Sequence, residues 1–150
     1  MTKTITIAEG KNYKAINIGP LDRLPDHQFV HPLFKTIDKG RLFVGELLET
    51  SGAEVSFREL PAKTTIPFLH KHHQHEEIYI FLKGVGLFQA DDNIFPVNEG
   101  SIIRVGTDVS RTLSNDAEEP MIYMVVQSHI NSLAGYHVSD GYRVEGEIKI

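Results

Sequence analysis

Apolar and polar residues alternate along most of the chain with the period of two that marks half-buried strands. Thr2–Ile7 alternates in this way. Arg41–Glu49, Ala53–Leu60, Ile66–His72, Glu77–Lys83, Val85–Ala90 and Pro120–Gln127 are rich in β-branched or aromatic residues and read as further strands. Turn formers separate them: Thr50-Ser51-Gly52, Gly84 and Gly86, Asp91-Asp92-Asn93, Asn98-Glu99-Gly100, Gly106-Thr107-Asp108 and Asn115-Asp116. From Gly84 onward the turns recur at short, even spacing, which predicts a sandwich, jelly roll or barrel. Helical patterning is scarce. Asp26–His31, bracketed by Pro25 and Pro32, and Ser128–Gly135 each have room for one or two turns. Asp140-Gly141 predicts a last hairpin between Tyr136–Ser139 and Tyr142–Val144.

No linker, repeat or low-complexity stretch divides the 150 residues, so one domain spanning 1–150 is expected. Apolar residues make up 41% and charged residues 23%, the balance of a globular chain. A net charge of −5 carries no basic stripe for nucleic acid. The longest apolar run, Met121–Val126, is too short to cross a membrane as a helix. The N-terminus shows no targeting pattern, and the absence of cysteine excludes disulfides and thiolate sites. A cytoplasmic location is compatible with all of this.

The chemistry concentrates in histidine. Of eight, His70, His72, His73 and His75 lie together. In a strand His70 and His72 share a face, and two imidazoles with a carboxylate suit a divalent transition metal. Glu77 joins them only if the chain turns between His73 and Glu76, because its parity is opposite. A strand running straight through would instead align His73, His75 and Glu77, and local composition leaves both registers open. His27 and His31 have the spacing of a helical metal pair but read as exposed loop residues. His129 and His137 suggest no role. Phe68, Tyr79, Phe81, Phe88 and Tyr123 read as barrel packing, some of them lining a pocket for an apolar or ring-shaped ligand. Gln127 ends an apolar run, where its amide either caps the strand or faces a cavity.

The segment from His70 to Gly84 resembles the first motif of the cupin superfamily: His-x-His, four residues, Glu, six residues, Gly. The glycine that opens that motif is replaced by Thr64. A second motif is matched by Gly100 and Asn115, while Gly106, Asp108 and Arg111 stand where the family has proline, glycine and histidine. The resemblance spans 64–115, with strands on both sides extending the cupin core to about 61–128. It implies an all-β cupin jelly roll, a double-stranded β-helix, with His70, His72 and Glu77 as metal ligands and the fourth ligand missing. Fe, Mn, Ni or Zn would fit. It further implies a metal-dependent enzyme acting on a small molecule in the barrel, oxygenase-like or sugar isomerase-like, with a homodimeric assembly. The alternative is a non-catalytic small-molecule-binding cupin that has lost its metal. Arg111 cannot ligate a metal. Pointing inward, it would anchor an anionic ligand or pair with Glu54 or Glu77, which places Arg111, Glu54 and Gln127 as candidate substrate-binding residues.

Overall fold

The computed structural model describes residues 4–135 and 140–150. Two hairpins come first: β1 (Ile5–Gly10) with β2 (Tyr13–Asn17), and, after a 3-10 turn at Leu21–Asp26, β3 (Gln28–Val30) with β4 (Ile37–Lys39). Then follow β5 (Arg41–Phe43), a single helical turn α1 (Gly45–Leu48), β6 (Ala53–Leu60) and β7 (Thr64–Thr65). The rest is β8 (His75–Lys83), β9 (Val85–Ala90), β10 (Asn93–Asn98), β11 (Ile102–Val105), β12 (Arg111–Asn115) and β13 (Met121–His129). A five-stranded sheet, β11-β8-β13-β6-β5, and a four-stranded sheet, β10-β9-β12-β7, form the all-β jelly roll.

The period-two pattern sets what faces inward. Along β8, Glu77, Tyr79 and Phe81 are buried and alternate with less buried neighbours, and β12 buries Arg111, Leu113 and Asn115 in the same way. Phe81, Phe88, Leu60, Met121 and Leu113 fill the core. Gly84 stands where β8 turns into β9. Its φ of +85° favours glycine, and a Cβ there would lie 2.9 Å from the Met121 Cα and the Pro120 carbonyl. Asn115 is fully buried. Its amide donates to the carbonyls of Leu60, Pro61 and Glu119 and accepts from the Ala117 N–H, tying β12 to the neighbouring turns.

Several expected elements differ. The strand expected over Arg41–Glu49 stops at Phe43, because the chain coils into α1, where the Gly45 N–H donates to Glu54 and Leu48 N–H to the Val44 carbonyl. The helix expected over Asp26–His31 is a 3-10 turn ending at Asp26. From there Gly40 N–H to His27 O and His31 N–H to Thr36 O draw the chain into the β3–β4 hairpin. Ser128–Gly135 does not form a helix: β13 continues to His129, held in register opposite His75. Ile66–His72 is extended but only partly laddered. Ile66 bonds to Leu113 and His70 pairs with Arg111, so four steps on one side meet two on the other, and the excess bulges at Pro67-Phe68-Leu69. Of the strand expected over Thr2–Ile7, Thr2 and Lys3 lie outside the described residues; the strand seen is Ile5–Gly10, which among the described residues pairs with β2 alone and leaves Ile5, Ile7 and Tyr13 exposed. Tyr136–Ser139 lies outside the described residues, and Tyr142–Val144 has no regular structure. Among the described residues no helix is long and apolar enough to cross a membrane.

Candidate metal and ligand site

His70 and His72 reach the barrel interior from the extended segment that follows the bulge, and Glu77 reaches it from β8. A bend at His73-Gln74 reverses the parity between them, so His73 and His75 are exposed while the other three converge. One ligand atom from each of His70, His72 and Glu77 lies within 4.8 Å of the other two.

Glu77 is 3% exposed and is the hub of the site. Its Oε2 accepts from the Tyr79 hydroxyl at 2.7 Å and from Arg111 Nε and Nη2 at 2.9 and 2.6 Å. Its Oε1 lies 3.0 Å from His72 Nε2 and accepts from the Gln127 amide at 3.0 Å. A carboxylate offers about four lone-pair positions, so these donors saturate it. Burial alone would raise its pKa; the Tyr79 hydrogen bond and the Arg111 guanidinium outweigh burial and hold the carboxyl below the usual range. Burial and the phenol's proximity to Glu77 push the Tyr79 hydroxyl far up, so it stays a donor. His70 and His72 shift the other way. Burial lowers both; Glu77 opposes it and the positive charge of Arg111 adds to it, and the net lowering favours the neutral imidazoles.

These protonation states suit a divalent cation: two neutral imidazoles and one carboxylate. His70 Nδ1 is buried without a hydrogen-bond partner, an orphan that leaves the imidazole underused by the protein itself. The set therefore fits a divalent metal, which His70, His72 and Glu77 would hold.

The three candidate substrate-binding residues part company. Arg111 is fully buried, its Nη1 donating to the carbonyls of Val109 and His70 and its other donors held by Glu77. Its fork thus faces Glu77, not an open cavity, because Glu77 is the nearest anion in a medium where an unpaired guanidinium is costly. Glu54 does not reach it. Its Oε1 accepts the Gly45 N–H at 2.7 Å beside a separate recess bounded by α1, His75 and His129. Gln127 borders both spaces. His27, expected as an exposed loop residue, is buried and bonds to the Ile18 carbonyl, while His31 Nδ1 accepts from the N–H groups of Leu33 and Phe34.

Next to the cluster lies a cavity of about 420 Å³. Phe29, Phe43, Phe68, Tyr79, Tyr123 and Val125 give it apolar walls; His70, His72, Glu77 and Gln127 border it, as do Ser56, Arg41 and Arg58.

The profile of the cupin domain matches residues 56–127. A solved cupin protein from Bacteroides fragilis is 34% identical, with a TM-score of 0.67, over 70% of this chain and 89% of that one. The chain is a cupin. More distant structures share the fold with this cupin. A predicted oxalate decarboxylase from Thermotoga maritima is 19% identical with a TM-score of 0.57, covering 69% of this chain and 91% of that one. A sugar phosphate isomerase from Silicibacter pomeroyi is 18% identical with a TM-score of 0.54, covering 74% and 65%. No curated protein matches the cupin significantly.

Two cavity residues of this cupin, Arg41 and Arg58, escaped the sequence reading. A signal for Arg58 was present: it falls between Ser56 and Leu60 on the inward parity of β6, where alternation calls for an uncharged side chain. For Arg41 there was none, since it heads a three-residue strand whose facing depends on its partner.

Proposed function

We propose that this cupin holds one divalent transition metal through His70, His72 and Glu77 and acts on a small molecule in the adjoining cavity. The observation that carries the reading is the convergence of two neutral imidazoles, one with an orphaned nitrogen, on an ionised buried carboxylate. A bound metal would supply Lewis acidity and coordination positions not taken by protein. The protein's part is to hold the imidazoles neutral, to keep Glu77 ionised through Tyr79 and Arg111, and to exclude water with the aromatic walls. The names of the oxalate decarboxylase and the sugar phosphate isomerase favour an enzyme working on a small oxygen-bearing molecule. The test is elemental analysis and metal titration of the purified protein. About one ion per chain is expected, lost in His70→Ala/His72→Ala and kept in His73→Ala/His75→Ala. Retention by the first double variant would refute the ligand set.

One observation favours a second reading, a metal-free binding protein. Arg111 already neutralises Glu77, so the carboxylate is satisfied without a metal. Protein that takes up no Fe, Mn, Ni or Zn when titrated, yet binds small molecules in the cavity, would support that reading over the first.

A further inference from the structure

Away from Glu77, the sheet places two arginines where its own rules disfavour them. Arg41 on β5 and Arg58 on β6 are direct cross-strand partners. Like charges directly opposite each other are destabilising in an antiparallel pair. Both border the cavity, with side chains 29% and 18% exposed. A single carboxylate serves the two: Asp38 accepts from Arg58 Nη2 at 3.1 Å and lies 3.5 Å from Arg41 Nη1. Arg58 Nε is buried and has no hydrogen-bond partner. The Arg41 guanidinium lies 4.7 Å from the Phe43 ring centroid and 5.7 Å from that of Phe29. Those rings orient and partly stabilise it but carry no net charge to cancel its own.

The charge count around the cavity is uneven. Arg111 balances Glu77, whereas two guanidinium groups share Asp38, leaving one positive charge on the wall. Asp38, the two rings and the Tyr123 hydroxyl compensate this pair in part, and what stays open is the net positive charge and the Arg58 Nε. A monoanion supplies the missing charge, and a guanidinium pair presents planar forks suited to a carboxylate. Between this pair and the histidines the walls are aromatic and aliphatic, which suits a ring. In register, Arg58 lies opposite Tyr123 and Glu77 lies opposite Gln127, so the two ends are about 13 Å apart along β13.

We propose that Arg41 and Arg58 form the recognition site for the carboxylate of a ring-bearing monoacid, with its apolar body between the aromatic walls and its far end toward His70 and His72. The proposal rests on the cavity being the ligand site and is independent of whether a metal is bound.

The test is calorimetric titration of the full chain with 3-phenylpropanoate and its neutral isostere 3-phenylpropanamide. The acid should bind about tenfold tighter than the amide. Arg58→Gln and Arg41→Gln should each bring the two affinities to within about twofold by weakening the acid alone, and Arg58→Lys should give an intermediate ratio. The His70→Ala/His72→Ala variant should keep the full acid preference. Equal affinity for acid and amide in the wild-type protein would overturn the proposal while leaving the cavity reading intact. Loss of the preference in the histidine variant would place the carboxylate on the metal ligands and also overturn it. Tighter binding of phenyl phosphate than of the acid would overturn the monocarboxylate class. Binding of none of these probes would overturn both the proposal and the cavity as the ligand site. Metal uptake, measured separately, reports on the ligand set alone.

Discussion

Two arginine sites border the interior of this barrel, and they are built on opposite plans. Around Glu77, a fully buried Arg111 is matched by a buried carboxylate, and its remaining donors meet carbonyls. At the Arg41–Arg58 pair, two half-buried guanidinium groups share one carboxylate, and a buried Nε has no partner. The first arrangement is closed: every charge inside the protein is answered inside the protein. The second is open, and what it lacks must come from outside. Burial therefore does not by itself mark a charged residue as structural or functional. The two sites differ in whether the charge is balanced inside the protein.

The closed site should be the expensive one to break. Arg111→Ala leaves Glu77 buried and uncompensated and should lower stability in urea unfolding by about 3–5 kcal/mol. Replacing both members, as in Glu77→Gln with Arg111→Met, should recover much of that loss. A single Arg111→Ala variant as stable as wild type would show that Glu77 protonates or finds water without cost, and the contrast between the sites would fail.

Arg111→His sharpens the same comparison from the metal side. It removes the internal cation and offers a third imidazole at the position where the second motif departs from the family. Competition against a chromophoric chelator should show metal binding tightened by about tenfold or more, and the rise in unfolding temperature on metal addition should exceed that of the wild type. An unchanged metal affinity would mean that position 111 does not face the ligand set.

The open site should yield the smallest change. Arg58→Gln relieves a like-charge pair and should shift stability by no more than about 0.5 kcal/mol, in either direction. It should also leave the oligomeric state unchanged in light scattering. Altered assembly would mean that the missing anion belongs to a second chain and not to a small ligand.

Much of the fold was legible locally. β6 and β9 occupy the segments that alternation marks out, Ala53–Leu60 and Val85–Ala90. Both are ordinary half-buried strands, whose pattern depends only on pleat and burial. The grouping of His70 and His72 was legible for the same reason, while Glu77 needed the motif because its parity depends on the bend at His73-Gln74. The local pattern misled where long-range bonds override it. Asp26–His31 is bracketed by two prolines and has helical length, yet the bonds from Gly40 to His27 and from His31 to Thr36 pull it into a hairpin. Arg41–Glu49 is apolar enough for a strand, but the Gly45–Glu54 bond bends it away after Phe43.

By itself, then, the sequence determined an all-β barrel, its strand faces and the residue types of its histidine–glutamate cluster, because side-chain alternation and turn chemistry act over a few residues. The partners of its charges were decided only by tertiary structure. Arg111 meets Glu77 across 34 residues of chain, and Arg41 stands opposite Arg58 through the register of β5 on β6. Charge pairing acts through space over a few ångströms and is screened beyond about 8–10 Å. Which cations end up matched and which are left waiting for an anion is therefore settled by strand register, a property of the assembled sheet that no local stretch of the chain contains.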